Sequence, residues 1–102
     1  MEEERRHHQR KQMMLEVRSD DFGQSGLRTT DISVGGCYIE TMAQVAVGDS
    51  LAFEIRLPGG QWVPLQGTVV YHHPTVGFGL RFTGLTQEHK DILSRLVESF
   101  DS

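Results

Sequence analysis

Leu51-Ala52-Phe53-Glu54-Ile55-Arg56-Leu57 carries large apolar side chains at every second position, and Pro58-Gly59-Gly60 ends the run. Successive side chains of a strand point to opposite faces, so Leu51, Phe53, Ile55 and Leu57 share one side. The stretch reads as a half-buried strand that runs into a hairpin-type loop. Two later segments keep the same period. Trp62 to His72 places Val63, Leu65, Gly67, Val69 and Tyr71 on one parity, and Pro64 marks its first part as an edge or a bulge. After a turn at His73-Pro74, Val76, Phe78, Leu80 and Phe82 alternate with Gly77, Gly79, Arg81 and Thr83.

Upstream the pattern is weaker but similar. Met13, Leu15 and Val17 alternate with Met14, Glu16 and Arg18, and Ser19 to Gly26 has turn composition. Leu27 to Ser33 is extended by propensity, Gly35-Gly36 breaks it, and Cys37 to Thr41 forms a short strand before a turn at Gly48-Asp49. Downstream the period changes. Thr86 can cap a helix, and Ile92, Leu93, Leu96, Val97 and Phe100 recur at helical spacing, which predicts an amphipathic helix over 87–100. Short strands followed by one helix give an all-β-dominated fold, an antiparallel sheet or barrel with the helix over an open end or face. Its expected core contains Leu51, Phe53, Ile55, Val69, Phe78, Leu80, Phe82, Leu93 and Leu96.

The chain of 102 residues is one domain by length, divided into an arm (1–11), a barrel (12–84) and a helical segment (85–102). Eleven glycines favour tight turns over a helical bundle. The longest apolar run is three residues, too short to span a membrane, and no secretory signal is visible. A single cysteine excludes an internal disulfide and fits a cytoplasmic setting. The net charge of -4 is unevenly spread. Residues 5–18 carry a net +4, whereas residues 19–102 carry a net -5. An acidic body lacks the broad basic face that a nucleic-acid polymer needs, but a local arginine cluster suits a small anion.

Two clusters carry recognisable chemistry. Arg6 and Arg10 are four apart, a spacing that puts both on one face whether the arm is extended or helical. Guanidinium forks bind phosphate, and also the O6/N7 edge of guanine. Asp31-Ile32-Ser33-Val34-Gly35-Gly36 sets Asp31 and Ser33 on the face opposite Ile32. Asp31 can accept from a base N–H edge, Ser33 can donate to a phosphate, and Gly36 permits a sharp turn. The simpler reading is a polar strand end that bonds its own backbone before a glycine turn.

Taken together, R-x-x-x-R followed about twenty residues later by D-x-S-x-x-G resembles the signature of the PilZ domain. Gly48-Asp49 before an alternating strand, the run Gly77-Phe78-Gly79-Leu80-Arg81-Phe82 and the closing amphipathic helix extend the resemblance over the whole chain. The resemblance implies a six-stranded antiparallel β-barrel with one C-terminal helix. It also implies binding of the bacterial second messenger cyclic di-GMP (c-di-GMP). The family's functional positions match Arg6, Arg10, Asp31, Ser33 and Gly36, with Gly35 as a neighbouring candidate. Arg5 resembles the extra arginine of members that bind an intercalated ligand dimer. Tyr71 is open to two readings, stacking on a guanine or packing in the core.

The expected protein is therefore a non-catalytic receptor that needs no cofactor and signals to an effector protein. A monomer without membrane insertion is the expected state. The alternatives are a PilZ-fold interaction module that binds no nucleotide, and a small barrel for single-stranded nucleic acid. The latter fits poorly, since the aromatics sit mainly on the core parity. His7-His8 and His72-His73 lack chelate spacing, so no metal site is expected. No nucleophile-elbow pattern accompanies Ser33, so no enzyme is expected either.

Overall fold

In a computed structural model, which describes residues 10–21 and 24–99, the alternating segments pair as antiparallel ladders. Strands β5 (Ser50–Arg56) and β6 (Trp62–His73) form the hairpin that Pro58-Gly59-Gly60 announces, with Phe53 opposite Leu65 and Ile55 opposite Val63. β6 then pairs with β7 (Gly77–Thr83) from Gln66 onward. Its first residues therefore have β5 as their only ladder partner, and Pro64 sits in that half-edge, where a missing N–H is tolerated.

The remaining strands close the cylinder. β2 (Glu16–Ser19) pairs with β5 and with β3 (Gln24–Ile32). β4 (Gly36–Glu40) joins β3 to β7. The result is a closed six-stranded antiparallel barrel, β3-β2-β5-β6-β7-β4 and back to β3. Closure removes the free edges that an open sheet would expose. A two-residue strand β1 (Lys11–Gln12) extends the wall beyond β3, pairing Lys11 with Ile32 and Gln12 with Asp31. Lys11, the last residue of the expected arm, is thus part of the sheet.

Between β1 and β2 the ladder is interrupted, and Thr29 mends it. Its hydroxyl donates to the Met13 carbonyl (2.7 Å) and accepts from the Leu15 N–H (3.0 Å), at a position with no solvent exposure. Two backbone groups that would otherwise be buried without partners are satisfied by one side chain.

The core follows the expected parity. Phe53, Ile55, Val69, Phe78, Leu80, Phe82, Leu93 and Leu96 are buried, with Met13, Leu15, Val17, Leu27, Ile32 and Ile39 from the less regular strands. Leu51 departs from the expectation: it is half-buried and packs against the cluster from its rim. The helix α1 (Gln87–Ser99) packs Leu93 and Leu96 into the barrel core, and Ile92 against its rim. Its start is fixed by Thr86, whose hydroxyl accepts from the His89 N–H (3.1 Å) while His89 Nδ1 accepts from the Thr86 N–H (3.4 Å). This is a capping box with histidine in the reciprocal role. The expected last helical residue, Phe100, lies outside the described residues. Among the described residues no helix is long and apolar enough to cross a membrane.

Candidate functional site

The β3–β4 hairpin is the local device that builds the site. Ser33 N–H donates to the Gly36 carbonyl (2.8 Å), and Ser33 Oγ accepts from the N–H groups of Gly35 and Gly36 (3.2 Å each). Ser33 is 3% exposed. Of its two sequence readings, the structure places its hydroxyl inside the turn, bonded to its own backbone. Gly36 is required for a separate reason: a Cβ there would drive into the Leu80 carbonyl oxygen of β7. The Gly35 carbonyl accepts from the Phe82 N–H (2.9 Å), tying the hairpin tip to the barrel.

The hairpin presents Asp31 on the outer face. A register shift between Thr29 and Asp31 separates inward Thr29 from outward Asp31, which stands opposite Tyr38. β1 brings the basic segment to the same place. Lys11 opposite Ile32 sets Arg10 beside the end of β3, and Arg10 NH1 lies 3.6 Å from Asp31 Oδ1. That distance is an ion pair but too long for a hydrogen bond, and Asp31 Oδ1 is buried without a hydrogen-bond partner among the described residues. The neighbouring Tyr71 side chain, with help from Asp31, raises the Arg10 pKa above its ordinary value against the lowering effect of partial burial.

Tyr71 reaches Arg10 because β6 bulges. Plain alternation puts Tyr71 on the parity of Val63, Leu65 and Val69, facing the core. A register shift between Val69 and Tyr71 moves it to the outer face, where its ring lies over Gly79. The core-packing reading of Tyr71 is thereby corrected.

Sequence reasoning missed four neighbours, Tyr38, His73, Gly77 and Gly79. Tyr38 and Tyr71 rings are 6.0 Å apart at 28°, and His73 lies 5.9 Å from the first and 5.4 Å from the second. Gly77 and Gly79 form the floor: a Cβ at Gly77 would meet the Tyr38 ring, and one at Gly79 the Tyr71 ring. The signal was available. Cys37 and Ile39 are inward, so Tyr38 between them is outward, and G-x-G in β7 leaves two outward positions empty. Burial first, and nearby Tyr71, Asp31 and Glu40, push the Tyr38 hydroxyl pKa up, so it stays protonated.

Arg5 and Arg6 lie outside the described residues. Trp62 is half-buried on the outer wall, with the Arg18 guanidinium 3.9 Å from its ring centroid. A groove of about 1020 Å³ lies at another place, between Arg18, Asp20, Asp21, Glu54, Gln66 and His89. Its arginine is already paired with Glu54 at 2.6 Å, and three carboxylates line it, which disfavours an anionic ligand. The Arg10–Asp31–Tyr71 face, by contrast, has the unsatisfied acceptor and the guanidinium.

Fold and site define a small barrel whose outer wall offers a cation, a carboxylate acceptor and aromatic faces at the foot of a basic segment. The chain belongs to the PilZ domain family, which its sequence matches over residues 4–99. No curated protein matches it. Among solved structures it is similar to the Bacillus subtilis inhibitor of motility MotI/DgrA, with 19% identity and a TM-score of 0.75 over 93% of this chain. The chain spans about half of that protein, 50% of its length. It is also similar to the PilZ domain of CeSA from a cellulose-synthesizing bacterium, with 18% identity, a TM-score of 0.65, and 91% of this chain covering 98% of that one.

Proposed function

We propose that this chain is a non-catalytic receptor for cyclic di-GMP and binds it on the outer face formed by β3, β4, β7 and β6. The observation that carries the reading is Asp31 Oδ1, a buried acceptor without a hydrogen-bond partner, set 3.6 Å from the Arg10 guanidinium. A guanine base offers an N–H edge to such an acceptor. Its O6/N7 edge and the ligand's phosphates both suit a guanidinium fork. Arg10 grips from the strand end, and Arg6, at the same parity, supplies the second fork. Arg5 is the further cation for a second ligand molecule.

Ser33, Gly35 and Gly36 act by holding the hairpin that aims Asp31, and Tyr71 offers a ring face to a base. The ligand carries two negative charges, so attraction is concentrated where the basic segment meets the acidic barrel. No cofactor takes part. Binding then alters the surface that an effector protein reads, in the cytoplasm, where the free buried Cys37 stays reduced.

The test is a calorimetric titration with cyclic di-GMP, with GTP as the control. Saturable binding of the cyclic dinucleotide that weakens at least ten-fold in Arg10→Ala is expected. Absence of saturable heat at tens of micromolar protein overturns the reading and favours an interaction module without a nucleotide.

A further inference from the structure

Asp31, Tyr38, Gly79 and Tyr71 form one row across β3, β4, β7 and β6, each opposite the next in the ladder. At one end of the row is an acceptor with no hydrogen-bond partner, and the rest is aromatic surface floored by glycine. The Tyr38 hydroxyl lies 3.0 Å from His73 Nδ1, a hydrogen bond whose donor depends on the imidazole tautomer. That bond uses the hydroxyl sideways, along the sheet, and holds the ring down across Gly77. A tyrosine kept outside the core and laid flat beside a base-edge acceptor has the geometry of a stacking platform.

We propose that Tyr38 contacts a nucleobase of the ligand directly and that His73 is a positioning residue acting through it. Resting on the cyclic di-GMP reading above, this assigns a base-contacting role to a residue outside both arginine and D-x-S-x-x-G patterns. Tyr71 and Tyr38 together give a tray two rings wide. The base whose edge meets Asp31 lies first over Tyr38, its immediate ladder partner, rather than over Tyr71 alone.

The experiment titrates the full chain with cyclic di-GMP by calorimetry and follows the ligand's guanine H8 resonance by NMR. Tyr38→Leu is expected to weaken binding about five-fold to a hundred-fold, as loss of one base–aromatic stack does, and to remove part of the upfield ring-current shift of H8. Tyr38→Phe keeps the ring but loses the bond to His73, and is expected to keep part of that shift, as much as His73→Ala does. His73→Ala is expected to weaken binding and reduce the shift in the wild-type background, and to have no effect in the Tyr38→Phe background. A merely structural histidine would cost the same in both. If Tyr38→Leu does not fold, the His73→Ala comparison decides alone. Binding within two-fold of wild type with an unchanged H8 shift, or equal His73→Ala effects in both backgrounds, overturns the inference and leaves the parent reading intact. No saturable binding by wild type overturns both.

Discussion

Arg10 and Lys11 are adjacent and equally charged, yet strand parity sends them to opposite faces. Arg10 is on the side of Asp31, and Lys11 faces the other way opposite Ile32. Charge-assisted bonds to a ligand are worth about 1.5–3 kcal/mol. Arg10→Ala is therefore expected to weaken cyclic di-GMP about ten-fold to more than a hundred-fold by calorimetry, and Lys11→Ala by no more than about three-fold. Arg10→Lys should recover only part of the loss, because an ammonium has no planar fork. Equal losses at both positions would mean that the segment acts as diffuse charge. Gly36→Ala is expected to act on folding instead. The Leu80 carbonyl that a Cβ would strike is backbone and cannot rotate away, so denaturant unfolding should show a loss of about 1–3 kcal/mol or more. A midpoint unchanged from wild type would show that the hairpin has slack. Asp31 and Arg10 were legible as residue types at a spacing. That the Ser33 hydroxyl closes its own turn was one of two readings, because spacing alone does not name a hydroxyl's hydrogen-bond partners.

At the scale of elements, period-two alternation made β5, β6 and β7 readable, and the change of period made α1 readable. The bulges were not. An extra residue at Val70 leaves no mark in composition, yet it carries Tyr71 from the inner to the outer wall. The break between β1 and β2 was equally silent, and its repair rests on Thr29. Thr29→Val keeps the shape and deletes the hydroxyl, leaving the Met13 carbonyl and Leu15 N–H without their partner. A cost of about 1–3 kcal/mol in denaturant unfolding is expected. A cost under about 0.5 kcal/mol would mean that the seam between β1 and β2 relaxes without it. The β6–β7 turn stores strain of another kind: Thr75, β-branched, has a φ of 67°. Thr75→Gly is expected to stabilise the protein by up to about 1 kcal/mol, and a lower thermal midpoint would contradict that assignment.

Taken whole, the molecule is a closed wall around an apolar core with its chemistry on the outside. Cys37 belongs to the core: complete burial, and then Asp31, push its thiol pKa far above the ordinary value of 9.0, with Arg10 opposing. The unfolded thiol ionises near pH 9 while the folded one stays protonated, so its stabilising contribution is full below that pH and is lost as pH rises. Stability measured between pH 8 and 10.5 should fall more steeply in wild type than in Cys37→Ala, by up to about 1.4 kcal/mol per pH unit. The thiol should also resist reagents until the protein is unfolded. Identical slopes, or rapid labelling of the native state, would show that the barrel opens at β4.

The central claim is the location of the ligand on the wall beside Asp31, and amide chemical-shift mapping with cyclic di-GMP tests it most directly. The expected perturbations cluster at Asp31, Gly36, Tyr38, Tyr71 and Gly79, with the amides of Glu54, Trp62 and His89 on other parts of the surface unmoved. Perturbations centred on the groove between Arg18, Glu54 and His89, or none at saturating nucleotide, would contradict it.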